Sequence, residues 1–185
     1  MELGRHLDNK RIVVKQIDPA ELSPGEFSAT VRSAVEETHA RVVVIDSLNG
    51  FLQAMPEEHF LTLQLHELLT FLRQRGVLTL LLMAQHGFVG RMEVPADVSY
   101  LADTVMLTRY FEAHGRVRKA LSIVKKRSGM HEDTIREFAV TGSGLVVGEP
   151  LSNFHGVLTG TPQYEGRDSG VLIDVGAAHQ TEGSL

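Results

Sequence analysis

The chain has 185 residues, 43% of them apolar and 22% charged, which suits one globular domain with a buried core. A net charge of −5 argues against non-specific nucleic-acid binding over the whole surface, and the absence of cysteine excludes disulfides and thiolate metal sites. No segment approaches the roughly 18 unbroken apolar residues of a membrane span, and MELGRHLDNK lacks a signal peptide's apolar run, so a cytoplasmic protein without a membrane partner is expected.

RIVVKQI (11–17) predicts a short strand. In DPAELSPGE, Ser23, Pro24 and Glu26 spell a capping box with proline at the first helical position. Phe27, Val31, Ala34 and Val35 then recur at helical spacing, predicting an amphipathic helix over 24–39. RVVVID (41–46) is apolar on both sides, as a central parallel strand must be. A second helix is expected from about Pro56 to Arg75, with Leu61, Leu65, Leu68 and Leu72 as its core stripe and Gly76 as its stop. VLTLLLMAQ (77–85) reads as another strand buried on both faces. The β-α-β-α-β order implies parallel strands with helices covering the sheet.

After Gln85 the texture changes. HGFVGRMEVPADVSYLAD is punctuated by glycine and proline, with one short helix expected after Pro95. TVMLTRYFE, KALSIVKKR and IREFAVTGSGLVVG follow, separated by AHGR and SGMHED. Those links are too short for crossover helices, so the three runs are expected as antiparallel hairpins. The folded part is expected to end near residue 158, with 159–185 as a flexible polar tail.

Asp46 ends an apolar strand followed by serine, which is how an ATP-hydrolysing site delivers a carboxylate to magnesium. Many α/β proteins also cap a turn with such an aspartate. Gln85 ends the next strand at the same edge, where ligands bind in open α/β sheets. With both residues present, the functional and the capping readings are evenly balanced. Lys125 and Arg127, in VKKRSGMHED, fall on one face of a strand. Side by side they suit a phosphate, or they form an exposed basic hairpin end. No G-x-x-x-x-G-K-[ST] occurs anywhere in the chain, so nothing here can cradle phosphates as a P-loop does. His59 and His66 share a helix but lack a third ligand, and RVRK lacks the interleaved aromatics of a nucleic-acid surface.

RVVVIDSLNGFL, LADTVMLTRYFEAHGRVRKALSIVKKRSGMHEDTIREF and GLVVGEPLSNFHGVLTGTP together resemble the later part of a KaiC-type ATPase domain. The likeness is specific over about 41–163 and looser from residue 1; K-x-R-x-x-x-H followed by I-R-E-F is its diagnostic stretch. The resemblance implies a RecA-like three-layer α/β/α fold, a mostly parallel sheet extended by C-terminal antiparallel hairpins. It also implies a homo-oligomeric ring of six domains with ATP and magnesium between neighbours. Asp46 then takes the Walker B position, assisting magnesium, and Gln85 the sensor position. Lys125 and Arg127 reach the neighbour's γ-phosphate, with His131 near the same nucleotide. The P-loop and catalytic glutamates belong upstream, so the chain reads as the C-terminal part of a longer polypeptide, an incomplete domain inactive by itself.

The family's autophosphorylated serine–threonine pair aligns with Ser99 and Tyr100, so the serine is present and the threonine is not. Autokinase activity is therefore in doubt, and Ser99 reads more simply as a helix-surface hydroxyl. Two rival readings stand beside the ATPase: a non-catalytic oligomerisation module and a DNA-recombinase relative. The hairpin motif fits the recombinases less well.

Overall fold

The computed structural model describes residues 3–54, 61–84, 99–159 and 161–165. These fall into two compact units, one running to residue 84 and including 99–101, the other beginning at 102.

In the first unit, α1 (Leu3–Asp8) precedes α2 (Pro24–Thr38). The start of α2 is set locally. The Ser23 amide donates to the Glu26 carboxylate (2.9 Å) and the Glu26 amide to Ser23 Oγ (3.3 Å), completing the expected capping box. β1 (Val42–Ile45), α3 (Leu48–Ala54), α4 (Leu61–Gln74) and β2 (Leu78–Leu81) follow. Gly76, with φ of 67°, ends α4 in the left-handed region that glycine adopts without a Cβ penalty.

Leu61, Leu65, Leu68 and Leu72 form the buried stripe of α4 and pack with Phe27, Val35, Leu48 and Val77. Each such side chain contributes about 1.5–3 kcal/mol on leaving water. β1 and β2 pair in parallel, with Val42 opposite Leu78 and Val44 opposite Leu80.

Two expectations for this unit need correcting. RIVVKQI forms no strand: Val13 and Val14 are 52% and 75% exposed, and the segment has no pairing partner among the described residues. Among the described residues, the parallel strands are covered on one face only. Val43 and Ile45 join the core, whereas Val42, Val44, Leu78 and Leu80 are about half-exposed (47–59%) on the other side. α1 and α3 were not expected.

A 3-10 turn at Ser99–Leu101 ends the first unit, and the second unit is a meander of β3 (Thr104–Ala113), β4 (Arg116–Lys126), β5 (Arg136–Thr141) and β6 (Gly144–Pro150). His114 and Gly115, both with positive φ, make the two-residue turn of the first hairpin. IREFAVTGSGLVVG is two strands, not one, turning at Gly142–Ser143. The meander and the parallel pair are separate sheets.

One face of the meander carries Phe111, Ala113 and Ala120 against Leu151, Phe154 and Val157. Phe111 and Phe154 meet edge to face with centroids 5.9 Å apart. β7 (Phe154–His155) pairs with β8 (Gln163–Tyr164), which lies within the stretch expected as tail; residues 166–185 of that stretch lie outside the described residues. The opposite face presents Met106, Tyr110, Val117, Val140 and Leu145 to solvent.

Candidate functional site

Asp46 directly follows β1, at the carboxyl end of the parallel pair, and its side chain is exposed. Three backbone and side-chain ties hold it there. Leu82 donates its amide to the Ile45 carbonyl (3.0 Å), and Leu48 donates to the Leu82 carbonyl (2.9 Å). Ile45 and Leu48 flank the Asp46–Ser47 step, so that step is fixed at both ends to one residue beyond β2.

Asn49 supplies the third tie. Its Nδ2 donates to the Ala84 carbonyl and its Oδ1 accepts from the Ala84 amide, both at 2.7 Å. The side chain is 7% exposed. A primary amide fits this role because it presents one donor and one acceptor in a plane, matching the two backbone groups of a single residue. The chain just past β2 is thereby locked to the turn that carries Asp46. Gln85 is the next residue, and it lies outside the described residues.

An exposed carboxylate at a strand end suits magnesium, which takes one or two carboxylates and completes its octahedron with water and phosphate oxygens. Among the described residues no group of three or more His, Cys, Asp or Glu side chains could hold a metal by itself.

Lys125 and Arg127 are in the second unit. Lys125 lies opposite Val105 near the open end of the β3–β4 ladder. Arg127 is just past that end, where its amide donates to the Asp103 carbonyl (2.7 Å) and its Nε lies 3.2 Å from Asp103 Oδ1. Asp103 thus holds Arg127 by backbone and side chain together. Both side chains are at least half-exposed, so the ion pair directs the guanidinium more than it stabilises the fold.

The loop that follows is braced at two points. Lys126 Nζ donates to the Met130 carbonyl (3.1 Å), and the Glu132 carboxylate accepts from the Thr134 hydroxyl and from Arg136. The Thr134 bond, aided by the Arg136 charge, holds the Glu132 carboxyl below its ordinary range. His131 sits exposed between these anchors.

Lys125 and Arg127 thus lie at the end of the β3–β4 ladder, and His131 is in the loop that follows. Ser99 begins the 3-10 turn, and its side chain lies outside what is described. His66 is exposed on α4, and His59 lies outside the described residues. Asn49 and Asp103 were not singled out from the sequence. Their only local signals are the polar residue in DSLN and the aspartate opening ADT.

The family profile described as "ATPase: KaiC" matches residues 7–152. Circadian clock protein KaiC3 of a Synechocystis species is 28% identical over 160 residues, 86% of this chain and 28% of that protein. Circadian clock oscillator protein KaiC of Thermostichus vulcanus is 25% identical over 133 residues, 71% of this chain and 26% of the relative. The namesake from Parasynechococcus marenigrum is 34% identical over a shorter stretch of 67 residues, 36% of this chain and 13% of that protein. The chain matches little more than a quarter of the length of KaiC3 and of the Thermostichus protein. No described helix is long and apolar enough to cross a membrane.

Proposed function

Since the chain belongs to the KaiC ATPase family, we propose that it carries two parts of an ATP site shared between neighbouring subunits of a homo-oligomeric ring, six-membered as the resemblance implies. Asp46 serves the nucleotide bound on its own subunit. Lys125 and Arg127, with His131 beside them, serve the nucleotide of the next. A glycine-rich phosphate cradle is absent from these 185 residues, and on this reading another segment of polypeptide supplies it. On this reading the chain by itself does not hydrolyse ATP.

The observation that carries the proposal is the threefold tie at Leu48, Asn49 and Leu82, which fixes the Asp46 turn at the carboxyl edge of a parallel pair. Asp46 would hold a magnesium ion, whose charge would offset that developing on the phosphate. Asp46 would orient that ion or its water, and Gln85 takes the sensor role that the family resemblance implies. Arg127 offers a planar, permanently charged donor fork to the transferring phosphoryl group, and Asp103 sets its direction. Ser99 remains a candidate phosphoacceptor should the parent act on itself. The exposed sheet faces favour a second reading, a non-catalytic assembly module.

Mixing variants of the longer, cradle-containing polypeptide separates these readings. Arg127→Ala and Asp46→Asn should each abolish most hydrolysis, because one spoils the neighbour's site and the other its own. Mixed and allowed to exchange, they regain activity at interfaces where an intact Asp46 side meets an intact Arg127 side. Demonstrated exchange without recovered activity would overturn the shared site.

A further inference from the structure

Away from Asp46 and Arg127, α2 and α4 hold an unusual pair of cations. Arg32 of α2 places its guanidinium carbon 5.0 Å from the Phe71 ring centroid, and Arg75 lies 5.1 Å from the same ring. Two guanidiniums sharing one aromatic ring repel each other, so each calls for a counter-charge. Arg75 has one, in Glu36 at 2.7 Å. Arg32 has none among the described residues, and its Nε is buried and makes no hydrogen bond.

Arg32 also borders a groove of about 440 Å³ whose other lining residues are His66, Glu67, Thr70, Phe71 and Gln74. Thr70, Gln74 and His66 bring N–H or O–H donors, and Glu67 is the one repulsive group. Glu67 is within the groove yet forms no ion pair with Arg32.

We propose that this groove binds an oxyanion, a carboxylate or a phosphate, with Arg32 as its principal contact. The Phe71 ring, 5.0 Å from the guanidinium carbon, holds the Arg32 head at the groove, so part of the entropy of ordering a flexible arginine is already spent before a ligand arrives. A guanidinium edge that presents parallel N–H groups matches a pair of anion oxygens. Glu67 limits affinity and favours a small ligand that can keep clear of its carboxylate. The site lies on the helical layer and is independent of the nucleotide reading.

The test is a nitrogen–proton correlation NMR titration of the 185-residue chain, following the Arg32 Nε–H and the Gln74 side-chain amide at constant ionic strength. Sodium phosphate forms one arm and sodium acetate the other. A saturable shift of both probes is expected in at least one arm, and the arm that saturates identifies the oxyanion. Arg32→Gln should weaken the Gln74 response by about tenfold or more, the value of losing a charged hydrogen-bond partner. Arg75→Gln, whose side chain is outside the groove lining, should leave that response in place and also shows that loss of a surface cation alone is not the cause. A linear, non-saturating drift in both arms overturns the proposal, and so does an unchanged Gln74 response in Arg32→Gln.

Discussion

Replacing Asn49 by alanine removes both hydrogen bonds that clamp Ala84 to the Asp46 turn, each 2.7 Å long and each spanning 35 residues of sequence. A hydrogen bond of this kind contributes about 0.5–1.5 kcal/mol net, so the pair amounts to about 1–3 kcal/mol. Water can partly replace the amide at the exposed Ala84 backbone, which puts the expected loss in the middle of that range. Asn49→Asp makes a sharper comparison. It keeps an acceptor for the Ala84 amide but sets a carboxylate oxygen against the Ala84 carbonyl, where the native group donates. At neutral pH the aspartate variant should therefore be at least as destabilised as the alanine variant. Its neutral form can donate again, so the folded state favours the protonated acid. Its deficit should then narrow as pH falls through the variant's raised carboxyl pKa. Urea unfolding followed by circular dichroism measures both. An alanine variant within about 0.5 kcal/mol of the native protein would mean that the clamp is incidental to the turn.

Arg118 and Glu137 form a buried ion pair at 2.8 Å, with side chains 11% and 4% exposed. Glu137→Leu or Arg118→Met alone should cost about 3–5 kcal/mol, and the double variant should recover most of it; a coupling energy near zero in the double-mutant cycle refutes this. The Ser23 backbone amide, then its hydroxyl, holds the Glu26 carboxyl below its ordinary range. A depressed carboxyl stabilises the fold above its unfolded pKa and loses that contribution as pH falls through the folded one, so Glu26→Gln should flatten the acid limb of a stability–pH curve; an unchanged limb counts against the capping box. Val42, Val44, Leu78 and Leu80 form a half-exposed apolar sheet face, which should drive concentration-dependent self-association that Val44→Lys with Leu80→Lys suppresses. Light scattering that shows a monomer over a wide concentration range contradicts this.

What could be read from the sequence was what local chemistry decides. Ser23, Pro24 and Glu26 are sufficient to start α2, because the capping box closes within four residues. The Leu61-Leu65-Leu68-Leu72 spacing specifies the buried face of α4 whatever it packs against. AHGR announces the first hairpin because its turn needs two positive φ values, which His114 and Gly115 supply. Pairing and clamping are non-local, and there the sequence was silent or misleading. RIVVKQI has strand propensity, but with no neighbouring strand among the described residues it has no ladder to join. α3 begins two residues after Asp46 on an unpromising LNG; the completely buried Leu48 and the Asn49 bonds to Ala84 anchor its start. Asp103 gains its role only when β3 and β4 bring Arg127 beside it.

The parallel pair shows a third relation between sequence and fold. RVVVI and VLTLLL are apolar on both sides, a pattern suited to strands covered twice, whereas the described helices cover them once. A strand bordered by water on one face is served equally well by threonine or lysine at Val42, Val44, Leu78 and Leu80. Four apolar residues in two facing pairs are instead the composition of an interior. The same disparity recurs on the meander, where Met106, Tyr110, Val117, Val140 and Leu145 lie outward. Both exposed faces thus carry the side chains of buried layers, and the lysine substitutions at 44 and 80 test whether contact with another apolar surface is what those side chains require.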